Sequence, residues 1–201
     1  CETAARMMWQ VIYDPRVNFT ERAMELADDA SAFGTGIIYV DHDQKEKRLN
    51  LRVEWAKKFA FEADINGNST AQYCWSCPTL SDIVEMFGAD ALPKELRRSW
   101  ESPDCNTEKT SEVLHVILKN EEFQRLGLGP NRLPLSSIWI LIQDEHELSR
   151  GGYYEFPYVI TPWYRRSGEV WGRGDAEIAL PDARLAQAVA AGHRRAGRAA
   201  L

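Results

Sequence analysis

The sequence of 201 residues lacks a long apolar run, and this absence limits the class of protein. A helix that spans a bilayer needs about 20 consecutive apolar residues. No segment approaches that length, and the chain does not open with the basic-then-apolar pattern of a secretion signal. We therefore expect a soluble protein that is not secreted.

An excess of positive charge is also missing. The chain has 24 Lys and Arg against 30 Asp and Glu, which gives a formal net charge of -6. Tight DNA binding neutralises phosphates with a basic surface, so this balance argues against a DNA-binding module with strongly salt-dependent affinity.

The sequence contains no recognisable catalytic set. Its four histidines are scattered, and no serine or cysteine lies in an elbow that would present a nucleophile. The pair Gly34 and Gly36 lacks the third glycine of a dinucleotide-binding loop. A short acidic segment could coordinate a divalent ion but is more typical of a solvated turn; it comprises Asp144, Glu145, His146 and Glu147. We predict that the protein is not an enzyme and needs no cofactor.

Cysteine is scarce, with four in the chain. Cys74 and Cys77 form a CxxC motif, a spacing found in redox and zinc sites. Together with Cys105 and His115 they could supply four zinc ligands. No second CxxC is present and these residues fall in unrelated predicted elements, so packed thiols in a reducing compartment are the preferred interpretation. The alternative is a small zinc- or thiol-dependent enzyme or redox module.

Hydrophobic periodicity predicts an α+β fold with a mainly antiparallel sheet and inserted helices. Helices are predicted over residues 2–13, 20–32, 79–88 and 93–100, the third capped by Thr79. The predicted strands cover residues 37–40, 49–55, 59–63, 69–75, 112–119, 136–143 and 151–163. Gly127, Gly129 and Pro130 predict an irregular loop before the strand that starts at residue 136.

Residues 151–182 change structural character partway through. Aromatic and β-branched residues predict a strand up to Trp163. Residues 167–174 predict a loop, where Gly168, Gly172 and Gly174 allow positive φ or close backbone approach and nearby aromatic rings pack around them. From Ala176 the pattern predicts a helix that runs to the last residue, with Pro181 and Asp182 near its first turn.

This stretch resembles the portal, or head-to-tail connector, proteins of short-tailed bacteriophages. In that family an aromatic-proline stretch is followed by an Arg-Trp pair, a Gly-Glu-Val-Tyr-Gly-Arg run and a Leu-Pro-Asp segment. The sequence departs from the pattern at Pro162, Trp171 and Asp175. The positions that align with the family motif, with Trp171 in the place of the tyrosine, are Phe156, Pro157, Trp163, Gly168, Glu169, Val170, Trp171, Gly172, Arg173, Gly174, Leu180, Pro181 and Asp182. The segment around Phe33 and Gly34, before the first strand, also resembles the family.

The resemblance implies a structural subunit of a twelve-membered ring at one capsid vertex of the virion. Such a ring is assembled in the host cytoplasm, passes double-stranded DNA without reading its sequence, and contacts the terminase, capsid or scaffold proteins and tail adaptors. It also implies a wing-like α+β region over residues 1–175 and the start of a stem-like helix over residues 176–201. Because the chain starts at Cys1 within one helical pattern and ends within another, we expect a fragment of a longer protein.

Overall fold

The chain folds into two compact units, Cys1–Ala56 with Tyr158–Leu201 and Lys57–Pro157. We call these the terminal unit and the central unit. A computed structural model describes residues 2–43, 46–102, 105–125 and 133–199. The predicted loop at Gly127, Gly129 and Pro130, and the last two residues of the predicted terminal helix, lie outside these ranges.

The terminal unit combines a small sheet with helices. Its helices are α1 (Glu2–Ile12), α2 (Phe19–Phe33) and α6 (Asp175–Ala199), and its strands are β1 (Thr35–Asp43), β2 (Arg48–Glu54) and β8 (Tyr158–Pro162). The strands pair antiparallel in the order β2-β1-β8. β8 joins β1 in a register that places Thr35 opposite Pro162. Segments from the two ends of the sequence therefore form one sheet.

The central unit is a five-stranded antiparallel meander with helical insertions. Its strands are β3 (Phe59–Ala63), β4 (Ser69–Ser76), β5 (Val113–Lys119), β6 (Leu135–Leu141) and β7 (His146–Tyr153), in that spatial order. The helices are α3 (Leu80–Phe87), α4 (Lys94–Glu101) and α5 (Asn120–Arg125), with 3₁₀ turns at Ala56–Lys58 and Ala89–Ala91. Each strand pairs with its neighbour along the chain, so the sheet forms from local hairpin contacts apart from the α3 and α4 insertion.

The core of the central unit lies between α3 and one face of its sheet. Leu80 and Ile83 of α3 pack with Val113 of β5 and Leu141 of β6, and each of these side chains is at most 1% exposed. Because side chains alternate along a strand, His115 shares the face of Val113. His115 is fully buried, stacks on Trp139 at 3.7 Å between ring centroids, and places Nε2 2.8 Å from Ser137 Oγ.

The α+β class and its antiparallel character are confirmed, but the prediction of one sheet is wrong. The predicted strand over residues 151–163 is two strands, β7 and β8, which belong to different sheets. Pro157 lies between them and has no amide hydrogen with which to continue a ladder. The predicted acidic turn at His146 and Glu147 is also wrong, because both residues belong to β7.

Within the part of the chain that the structure describes, no helix is both long and apolar enough to cross a membrane.

Helix α3 is terminated as its local sequence predicts. At its start the Thr79 hydroxyl accepts the Asp82 amide at 3.2 Å, while the Asp82 carboxylate accepts the Thr79 amide at 3.0 Å. At its end the Gly88 amide donates to the Val84 carbonyl at 2.8 Å. The hydrogen bonds from Thr79 lower the pKa of Asp82. This reciprocal cap fixes where α3 begins against the sheet.

Replacing Thr79 by alanine is expected to destabilise the protein by about 1 kcal/mol, because the capping acceptor of the first helical turn is lost. Urea unfolding followed by circular dichroism measures this change. Thr79→Ser keeps the hydroxyl and is the matched control, expected to stay close to the wild-type midpoint. An alanine variant as stable as the serine variant would show that the cap does not stabilise α3.

Candidate functional site

The candidate site lies in the terminal unit, where the turn between α2 and β1 meets the segment before α6. We call it the glycine junction and define it by Gly34, Thr35, Gly172 and Gly174. Gly34 ends α2 with φ of 86°, a left-handed conformation that favours glycine. Its amide donates to the Ala30 carbonyl at 2.9 Å, and its carbonyl accepts the Trp163 amide at 2.8 Å. The turn is thereby bonded both to α2 and to the end of β8.

Gly172 allows two backbone segments to touch. A Cβ on Gly172 would overlap the Gly34 carbonyl oxygen and lie 2.9 Å from the Pro162 Cα. The Gly172 amide donates to the Thr35 hydroxyl at 2.8 Å, a buried hydrogen bond between residues 137 positions apart in the sequence. No side chain larger than hydrogen fits this contact without moving backbone.

Gly174 makes the second close approach and starts α6. A Cβ there would overlap the Ser31 carbonyl oxygen and lie 2.7 Å from the Gly34 nitrogen. The Gly174 carbonyl accepts the amides of Glu177 and Ile178, at 3.1 and 3.2 Å. The first turn of α6 is therefore attached directly to the last turn of α2.

Residues 165–172, which we call the motif loop, are closed by a backbone bridge between Tyr164 and Arg173. The Tyr164 amide donates to the Arg173 carbonyl at 3.2 Å, and the Arg173 amide donates back at 2.6 Å. Gly168 has φ of 84° at the tip of the loop. The loop is thus a short hairpin that delivers Gly172 and Gly174 to the junction.

An ion pair braces the motif loop from within. Arg173 donates from Nε and Nη2 to the two carboxylate oxygens of Glu169, at 3.2 and 2.7 Å. These hydrogen bonds lower the pKa of Glu169 and raise the pKa of Arg173. Both side chains remain partly exposed, so the pair contributes little free energy by itself and mainly orients the loop.

The aromatic side chains of this region remain partly exposed. Trp163 is 47% exposed, Tyr164 63% and Trp171 39%. The atoms nearest to the place of a Cβ on Gly172 belong to Gly34 and Pro162 and not to these rings. Val170 is also exposed, so the motif loop presents an apolar surface.

Leu180, Pro181 and Asp182 do not start the terminal helix. Since α6 begins at Asp175, Pro181 lies in its second turn. A proline there removes the amide that would bond to the Glu177 carbonyl, which weakens the helix locally. Phe156 and Pro157, the other outlying motif residues, lie at the end of the central unit. The motif residues that the structure brings together are therefore those from Trp163 to Gly174.

The alternative zinc site, which the sequence analysis ranked below packed thiols, is not assembled. Among the described residues, no three His, Cys, Asp or Glu side chains come close enough to hold a metal ion. Cys74 is buried in β4 opposite His115, whereas Cys77 is exposed beyond the strand and Cys105 packs at the edge of the central core. The acidic segment does not gather ligands either, because His146 bonds the Ala91 carbonyl at 3.0 Å and Glu147 pairs with Arg150.

Residues 2–200 match the family described as bacteriophage head to tail connecting protein. The chain belongs to this family. A search of curated proteins finds no match. The family match covers almost the whole chain and so includes both units.

Membership of the connector family assigns a structural role in joining the phage head to the tail. It also implies a location in the virion and association with capsid and tail components. Sequence reasoning identifies the motif loop but misses Thr35, whose hydroxyl is the acceptor that ties the loop to β1. A single threonine at the start of a strand gives no signal of that contact.

Replacing Gly172 by alanine is expected to destabilise the protein by about 1–3 kcal/mol, because the added methyl group overlaps backbone that has no space to move. Chemical denaturation measures the loss. Gly151→Ala is the matched control, since no atom lies within 4 Å of the place its methyl group would take and its φ is ordinary; it should change stability by less than about 0.5 kcal/mol. Equal effects of the two substitutions would contradict the close approach at the junction.

Proposed function

We propose that this connector protein is one subunit of a portal ring, with twelve copies surrounding a channel through which DNA enters and leaves the head. The ring occupies one capsid vertex, supports DNA packaging and ejection, and joins head to tail. Its partners are the terminase, capsid or scaffold proteins and tail adaptors, and it assembles in the host cytoplasm. The family membership is the single observation that carries this proposal.

The exposed apolar surface of the terminal unit supports an assembled state. Helix α1 buries none of its residues, and Met8 and Trp9 are 64% and 63% exposed. On α6, Leu185 is 65% exposed and Val189 is 53% exposed. Large apolar side chains concentrated on exposed helices are typical of protein interaction surfaces. A second subunit would remove them from water.

A ring requires contacts between two different surfaces of the same chain. Such heterologous contacts close into a ring when the rotation between neighbours divides a full turn. Helices α1 and α6 offer two distinct exposed surfaces of this kind. The glycine junction supports the geometry, because it attaches α6 to the sheet of its unit through backbone contacts and so fixes where the helix starts. In this proposal, residues 1–175 form the wing and residues 176–201 begin the stem.

The negative charge of the chain is better suited to a channel through which DNA moves than to a surface that binds DNA tightly. The formal net charge is -6, so many copies in a ring give a strongly negative assembly. Phosphates are repelled by such a surface, which prevents tight sequence-independent binding. DNA would then move through the channel without being held by its walls.

Electron microscopy with native mass spectrometry of the purified protein tests the ring. The expected result is closed rings of about twelve copies with a central channel, as the family resemblance implies. Substituting glutamate at Leu185 and Val189 should abolish the rings, because charge replaces the apolar contact. Gln187→Glu adds a carboxylate at a neighbouring exposed position of α6 and should leave them intact. A protein that stays monomeric at all concentrations, or rings without a channel, would contradict the proposal.

A further inference from the structure

An open groove of about 920 Å³ lies in the terminal unit, along the turn that joins α1 to α2 and along α2 itself, with lining residues between Tyr13 and Asp29. Its apolar lining includes Tyr13, Phe19 and Met24. Tyr13 stacks on Trp9 at 4.1 Å between ring centroids and meets the edge of Phe19 at 5.4 Å. The rings hold the two helices in a fixed arrangement, while Met24 remains 65% exposed. The groove therefore offers an apolar floor to an elongated segment.

The rim of the groove is strongly acidic. Among the described residues that line it are five carboxylates and one cation, Arg22; the carboxylates belong to Asp14, Glu21, Glu25, Asp28 and Asp29. Arg22 pairs with Glu25 at 2.8 Å, and Asp14 pairs with Arg16 at 2.7 Å. Within the described residues, no cation forms an ion pair with Glu21, Asp28 or Asp29. Burial, followed by the charges of Glu25 and Asp28, raises the pKa of Asp29, as expected where carboxylates crowd together.

A segment with the opposite character exists in the same chain. Residues 183–201 contain four arginines, Arg184, Arg194, Arg195 and Arg198, and no acidic residue. The apolar side chains of Leu185 and Val189 lie exposed on the same helix. An apolar and basic helix of this kind matches an apolar and acidic groove in both respects.

The described part of α6 does not pack into the groove of its own chain. Residues 175–189 of this continuous helix are all exposed to solvent. None of its described side chains lines the groove. A neighbouring subunit is therefore the simplest source of the basic helix that would occupy the groove.

We propose that this groove, at the turn between α1 and α2 and along α2, receives the basic C-terminal half of α6 from a second copy of the chain. This inference rests on the proposed ring and names its contact: acidic groove of one subunit, basic helix of the next. The contact is heterologous, so each subunit donates one helix and accepts another, and the chain of contacts can close.

Charge reversal tests the contact in the intact 201-residue chain. The groove variant carries Glu21→Lys, Asp28→Lys and Asp29→Lys, and the helix variant carries Arg194→Glu, Arg195→Glu and Arg198→Glu. Each variant alone should associate at least about tenfold more weakly in analytical ultracentrifugation, because like charges then face each other. A mixture of the two variants, and a chain carrying both sets, should recover association, because opposite charges meet again.

The matched control reverses three exposed carboxylates of the central unit, Glu62→Lys, Glu85→Lys and Glu108→Lys. It changes the net charge by the same amount and should associate like the wild type. Raising the salt concentration from about 50 to about 500 mM should weaken wild-type association by about tenfold, because exposed charges are screened. Recovery in the mixture also shows that both variants are folded.

The outcomes separate this contact from the ring itself. Rings that persist in both single variants overturn the contact and leave the proposed function standing. Salt-sensitive pairing restored by mixing, but ending in open chains under the microscope, supports the contact and contradicts the ring. A monomer whose stability, rather than association, responds to charge reversal places the helix in its own groove and overturns the inference. The inference is also overturned if association is restored neither in the mixture of the two variants nor in the chain that carries both sets of substitutions.

Discussion

The terminal unit depends on one contact, the approach of the Gly172 backbone to Gly34 and Thr35. Two glycines permit this approach, and the Thr35 hydroxyl accepts the buried Gly172 amide. A buried amide without an acceptor costs about 1–3 kcal/mol, so the close approach needs the Thr35 hydroxyl as well as the two glycines. This contact brings together the start of β1, the end of α2 and the first turn of α6. The position of the 25-residue helix follows from it.

The residues that resemble the connector motif have a role in local geometry. Gly168 turns the motif loop, Arg173 braces it through Glu169, and Gly172 and Gly174 bring backbone against backbone. They fix the direction in which a long helix leaves a small sheet, and in a structural protein that direction decides which surfaces meet a neighbour.

Helix ends that are set by neighbouring residues can be predicted from the sequence, whereas the pairing of strands that are distant in the sequence cannot. The helix from Leu80 to Phe87 is predictable because Thr79 and Gly88 mark its two ends within a few residues. The split into two sheets is not, because β8 pairs with β1 across more than a hundred residues and no local pattern encodes that register. The sequence predicts Pro181 near the first turn of the terminal helix because a Leu-Pro-Asp segment is typical of a helix start. In the structure the helix starts earlier, and Gly174 supplies its first hydrogen-bonded carbonyl. The alternative zinc site could not be excluded by spacing alone, because spacing does not show that His115 stacks on Trp139 inside a core.

Amide hydrogen exchange of Gly172, followed by nuclear magnetic resonance, tests the junction most directly. The account predicts that the Gly172 amide exchanges as slowly as the paired amides of β1, because both are buried and hydrogen bonded. The Gly168 amide, at the exposed tip of the same loop, should exchange much faster. A Gly172 amide that exchanges at the rate of Gly168, while β1 stays protected, would contradict the claim that this contact holds α6 to the sheet.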